Sequence, residues 1–68
     1  MAHVVALSSR EREVLVLAAE SLTNKQIAQR LQISPNTVQG YVSSALNKLG
    51  AADRRKAIAL ATRQGLIP

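Results

Sequence analysis

No cysteine occurs among the 68 residues, so neither a disulfide nor a thiolate metal site can hold this chain together. Phenylalanine and tryptophan are absent, and Tyr41 is the one aromatic, which leaves the core to aliphatic side chains. Acidic residues are scarce: four Asp and Glu stand against nine Lys and Arg, a net charge of +5 that favours a polyanionic partner. No apolar run approaches the roughly 18 residues of a membrane span. The opening residues 1–7 have no basic region and too short an apolar run for a signal peptide. Repeats, low-complexity tracts and internal linkers are missing as well. The expectation is one domain over 1–68, with residues 1–6 as a flexible lead-in. A chain this short buries only about 60% of the surface its unfolded form exposes, so it depends on efficient helix packing. The lack of cysteine fits a reducing cytosol, and a cytoplasmic, nucleoid-associated location is expected.

What is present is organised around residues 23–49. Ile27, Ala28 and Leu31 share one face of a short helix, and Val38, Tyr41, Val42, Ala45, Leu46 and Leu49 share one face of a longer one. Thr23 stands three residues before Gln26, the spacing of a capping box, with Leu22 and Ile27 placed as its hydrophobic staple. Ser34 followed by Pro35 starts the second helix, with Ile33 and Val38 as the matching staple. Helices are predicted over 9–20, 24–31, 35–49 and 54–64. Ser8 with Glu11 forms the first capping box, Asp53 caps the fourth helix, and Gly50 and Gly65 end the third and fourth. Strand signals are absent. Val4 and Val5 could pass for an edge strand, but nothing in the chain would pair with it. The fold class is all-α, with two helices joined by a short turn and crossing steeply. That is the helix-turn-helix geometry which offers its second helix to a DNA major groove.

The charge follows this unit. Residues 1–22 hold Arg10 and Arg12 against Glu11, Glu13 and Glu20, whereas residues 23–68 hold seven basic residues against Asp53 alone. On the third helix Asn36, Gln39, Gly40, Ser43 and Asn47 form a stripe opposite the apolar face. Asn and Gln can pair bidentately with adenine in the major groove, and Ser is permissive. An ordinary solvated helix face is rich in Glu and Lys. This stripe carries no charge and includes a glycine costing about 1 kcal/mol relative to alanine. Asn36, Gln39, Gly40 and Ser43 are therefore the expected base readers, with Asn47 farther down the helix as a possible backbone contact. Arg54, Arg55 and Lys56 crowd three cations into the first turn of the fourth helix, where the macrodipole disfavours them. DNA-backbone contact by Arg55 and Lys56 competes there with simple solvation.

Taken in order, these segments resemble the LuxR-type (GerE-type) helix-turn-helix family of bacterial transcription regulators. LSSREREVLVLAAE (7–20) is similar to the family's opening helix and TNKQIAQRLQIS (23–34) to its scaffold helix and turn. TVQGYVSSALNKLG (37–50) is similar to its recognition helix, and DRRKAIALATRQGLI (53–67) to its fourth. The resemblance implies a four-helix domain that binds promoter DNA, with Thr23, Lys25, Ser34, Thr37 and Lys48 approaching phosphates. It implies a weak homodimer on DNA through helix 54–64, placed on Ala57, Leu60, Ala61 and Gln64. By pattern, Ala57, Ile58 and Ala61 also suit the core, leaving Ala59 and Leu60 partly spare. The resemblance further suggests that Arg54 pairs with Glu11 or Glu13. Three positions depart from the family: Ser21 replaces a usual glycine, Gln39 and Tyr41 replace a usual basic residue and histidine, and Ser43 is smaller than usual.

No cofactor, metal or small-molecule ligand is expected, and RNA polymerase is a further expected partner. His3 has no second ligand nearby in sequence. Ser8, Ser9 and Ser34 lack a base and read as caps, so no enzymatic constellation assembles. The alternatives are a promoter-recognition module like region 4 of a sigma factor, or a basic helical adaptor for a protein partner. The helix after Gly50 argues against the first. The absence of exposed apolar anchors on the third helix argues against the second.

Overall fold

A computed structural model describes residues 5–68, which form four helices: α1 (Ser9–Ala19), α2 (Asn24–Leu31), α3 (Pro35–Leu49) and α4 (Arg54–Arg63). His3 and Val4 lie outside the described residues. Helices α1 and α4 each end one residue earlier than the periodicity predicts, at Ala19 and Arg63, because Glu20 and Gln64 already serve as their C-caps.

The predicted starts all form. Ser8 accepts from the Glu11 amide at 3.1 Å while Glu11 accepts from the Ser8 amide at 2.7 Å. Thr23 and Gln26 repeat the exchange at 2.8 and 3.2 Å. Ser34 caps α3 through the Thr37 amide, and Asp53 caps α4 through that of Lys56. Each cap satisfies backbone donors that would otherwise have no partner, worth about 1 kcal/mol apiece.

The ends follow one device four times. After α1, α2, α3 and α4, the amides of Leu22, Ile33, Ala51 and Leu66 bond back to the carbonyls of Leu17, Ala28, Leu46 and Ala61. In each case the preceding residue is left-handed: Ser21 (φ 70°), Gln32 (φ 58°), Gly50 (φ 64°) and Gly65 (φ 72°). This is the Schellman ending. Two of the four turns use the glycine that such a conformation favours, and two do not. Gln32, Ile33 and Ser34 alone separate α2 from α3, so a left-handed glutamine sits inside the helix-turn-helix itself.

Two aliphatic clusters fill the interior. Val14 and Ala18 of α1, Ile27 and Ala28 of α2, and Val38 and Val42 of α3 make the first. Leu15, Ala45, Leu49, Ala57, Ala61 and Ile67 make the second, against which Val5 and Leu7 also pack. Helix α1 thus turns Val14 to one cluster and its neighbour Leu15 to the other. Helix α3 packs against all three other helices, whereas α2 and α4 make no close backbone approach. The first cluster builds the helix-turn-helix, and the second seats α4 on its back. Ala45, Ala57 and Ala61 are fully buried, and their small size lets α3 and α4 come close.

That placement corrects the sequence-based assignment of the dimer face. Ala57 and Ala61 point into the core and have no surface to offer a partner, leaving Leu60 half-buried and Ala59 and Gln64 exposed on α4.

Candidate nucleic-acid interface

Pro35 and the Ser34 cap start α3, and Val38, Val42, Ala45 and Leu49 bury one side of it. The 3.6-residue period then forces Asn36, Gln39, Gly40, Ser43 and Asn47 to the other side, and all five are exposed. Fifteen residues make a helix about 22 Å long, and Asn36 to Ser43 occupies about 10 Å of it. A major groove about 12 Å wide admits such a helix. Gly40 faces open space: a Cβ built there meets nothing within 4 Å, so no packing in the free protein requires the glycine.

The side chains predicted to flank the groove differ in what already holds them. Thr23 and Ser34 are occupied as caps, and the Ser34 and Thr37 hydroxyls bond each other at 2.9 Å. Lys25, Arg55 and Lys56 are exposed, and among the described residues no carboxylate lies within salt-bridge reach of them. Lys48 is different. Its ammonium donates to Glu11 at 2.8 Å, so its charge already has a partner inside the domain, while its side chain stays 42% exposed. The helix macrodipole, the competing reason for a lysine there, is joined by a specific partner from α1.

Glu11 is the one buried charged residue among those described, 4% exposed. Burial pushes its carboxyl up, but hydrogen bonds from Lys48, Ser44 and Ser8 outweigh that and bring the pKa from 4.5 down to about 2. Ser44 and Lys48 lie one turn apart on α3, so a single carboxylate both starts α1 and grips the inner side of the reading helix. The capping spacing identified Glu11 in the sequence. Its second role was not visible there, because Ser44 and Lys48 meet it only after α1 and α3 pack.

Arg54 pairs with neither Glu11 nor Glu13, contrary to the expectation drawn from the resemblance. Its guanidinium donates to the Asn24 side-chain carbonyl on α2. Asn24 in turn donates to Gln39 at 3.0 Å, and Gln39 donates to Ser43 at 3.1 Å. Asn24 was not singled out from the sequence. The available signal was an asparagine, a poor helix former, at the first helical position beside an already adequate threonine cap.

Among the described residues no group of three His, Cys, Asp or Glu could hold a metal ion. Among the same residues no helix is long and apolar enough to cross a membrane.

Set against known proteins, residues 5–61 match the pattern of "Bacterial regulatory proteins, luxR family". The chain belongs to that family. It is a helix-turn-helix DNA-binding domain of the kind carried by transcription regulators. The luxR-family chain is 42% identical over 59 residues to the spore germination protein GerE of Bacillus subtilis, covering 87% of this chain and 80% of that protein. Against the DNA-binding transcriptional activator DevR/DosR of Mycobacterium tuberculosis it is 48% identical over 56 residues, 82% of this chain and 26% of the relative. The solved structure of the transcription factor GerE superimposes with a TM-score of 0.88 at 35% identity, covering 91% of this chain and 92% of that one. The luxR-family chain spans 7% of the length of one relative, an HTH-type transcriptional regulator by name from Mycobacterium bovis, and 80% of the length of GerE. The four-helix, strand-free architecture expected from the sequence is that of the GerE structure.

Proposed function

We propose that this luxR-family domain reads double-stranded promoter DNA with α3 in the major groove. Asn36, Gln39, Gly40 and Ser43 face base edges, while Lys25, Arg55 and Lys56 meet phosphates with Thr23, Ser34, Thr37 and Asn47 alongside. The observation that carries this reading is the exposed face of α3. From Asn36 to Asn47 its stripe is uncharged, amide-rich and free of large apolar side chains, and three helices and the buried Glu11 carboxylate pack behind it. The same absence of apolar anchors weighs against a protein-binding adaptor, and the family match weighs against a sigma-factor module.

Residues 1–68 serve as one DNA-binding unit, alone or as the output domain of a response regulator or ligand-sensing regulator. Two copies pair weakly on DNA through the exposed side of α4, around Leu60 and Gln64. Promoter DNA places the protein in the bacterial cytoplasm, where RNA polymerase is a further partner of the whole regulator.

Selection of binding sites from random DNA, followed by titration of two variants, tests the reading. Gln39→Ala costs about 1–3 kcal/mol on the selected site and relaxes discrimination at one base pair. Lys25→Ala weakens binding evenly on all sequences and lowers the salt slope by about one unit. Equal losses for Gln39→Ala on selected and scrambled DNA would remove it from base readout.

A further inference from the structure

Four polar side chains from three helices form a continuous hydrogen-bonded line: Arg54 of α4, Asn24 of α2, then Gln39 and Ser43 of α3. The line ends on two of the side chains assigned to the DNA bases. We propose that Arg54 and Asn24 are positioning residues for sequence readout, setting which end of the Gln39 amide faces which way, and hence which base pair Gln39 prefers. The proposal rests on the reading of Gln39 as a base contact.

The physical argument is one of donors and acceptors. A guanidinium has five N–H donors and no acceptor, so whatever faces it must accept. That requirement settles the Asn24 amide, whose two ends are otherwise hard to tell apart. Its Oδ1 must turn to Arg54, and its Nδ2 then points at Gln39, 3.0 Å away. Since Nδ2 only donates, Gln39 must present Oε1 to it, which sends Nε2 toward the Ser43 hydroxyl at 3.1 Å. Reversing Gln39 alone sets two donors face to face at Asn24, and reversing Asn24 alone sets two donors together at Arg54 and two acceptors together at Gln39. Ser43 imposes nothing, because a hydroxyl serves as donor or acceptor equally. The polarity of the line is therefore dictated at the Arg54 end, 30 residues away in sequence from Asn24 and on a helix that does not pack against α2.

The consequence falls on readout. Glutamine recognises adenine by donating to N7 while accepting from the N6 amino group. An amide fixed end for end offers that pair in one spatial order only, whereas an amide free to turn can offer either. Each end of the Gln39 amide has one partner within the protein and retains one further hydrogen-bonding position for a base. When DNA excludes water from this face, mismatched donor and acceptor pairs become more costly.

The test uses the 68-residue protein. Asn24→Asp keeps an acceptor for Arg54 but replaces the donor facing Gln39 with a second acceptor, which turns the Gln39 amide around. Arg54→Gln removes the donor-only group and leaves both amides free to reverse. Sites are selected from random DNA with the parent, with each variant, and with Gln39→Ala, which identifies the base pair that Gln39 reads. The expected result is a change of about tenfold in preference at that base pair for Asn24→Asp, with other positions nearly unchanged. Arg54→Gln flattens preference at the same pair, and thermal melting confirms that each variant folds. In the Gln39→Ala background, Asn24→Asp alters base preference no further. Uniform weakening on every sequence, as a new carboxylate repelling phosphate would produce, overturns the proposal, as does a shift that persists without Gln39. If Gln39→Ala relaxes one base pair while Asn24→Asp and Arg54→Gln leave preference intact, the relay fails and the readout stands. If Gln39→Ala itself leaves the selected sequence unchanged, the readout fails and the relay with it.

Discussion

Lys48, near the end of α3, reaches Glu11 in the first turn of α1 at 2.8 Å, and that carboxylate is almost wholly buried. The pair closes the domain behind its reading face. Its geometry has a measurable consequence in acid. The folded-state pKa of Glu11 lies near 2, below the ordinary 4.5. Its stabilising contribution is therefore complete above about pH 4.5 and is lost as pH falls toward about 2. Glu11→Gln leaves Lys48 without its charge partner and should cost on the order of 2–3 kcal/mol at neutral pH. It should also flatten the pH dependence of stability over that acid window. Urea melts of both proteins between pH 2 and 7 check this, and parallel curves would deny Glu11 the role.

Ser21 holds the left-handed position after α1 that the family commonly gives to glycine, with φ 70°. A side chain there strains the backbone, so Ser21→Gly should stabilise the domain by about 0.5–1 kcal/mol. Because Ser21 lies outside the reading face, DNA affinity should stay within twofold, an order-of-magnitude expectation for a distant site. A thermal melt that falls on substitution would show that the serine side chain is contributing a compensating interaction.

Gly40 separates two reasons for a glycine on an exposed helix. A Cβ there meets only open space, so Gly40→Ala should raise stability by about 0.5–1 kcal/mol. If the missing side chain lets α3 seat deeply in the groove, the same variant should bind its selected site more weakly or prefer a different one. One melt and one titration decide it. A more stable protein with unchanged affinity for every site would end the close-approach idea.

Leu60 is half-buried on α4, next to exposed Ala59 and one turn before exposed Gln64. So short a face buries little area, so the pair should be largely monomeric in solution and form on DNA. Leu60→Glu should abolish cooperative occupation of two half-sites while circular dichroism stays helical. Cooperativity that survives the change would place the dimer contact elsewhere.

Local order was legible in the sequence because local chemistry decides it. Ser8, Thr23, Ser34 and Asp53 cap the helices they precede, and Gly50 and Gly65 end theirs. The apolar period of α3 placed Asn36, Gln39, Gly40 and Ser43 on one exposed side, since a helix of known period has only one way to divide its faces. The left-handed Ser21 and Gln32 were not legible. No propensity favours them, and the surrounding packing holds them where glycine would sit more easily.

Partners distant in the chain were decided by tertiary structure alone. Whether Ala57 and Ala61 face a neighbour or the core depended on where α4 docks, and it docks with both inside. Lys48 pairs with Glu11, and Arg54 found Asn24 rather than an acid, because side-chain reach is set by how helices cross. Periodicity tells a residue which side of its own helix it occupies. It carries no information about what stands opposite until the helices pack.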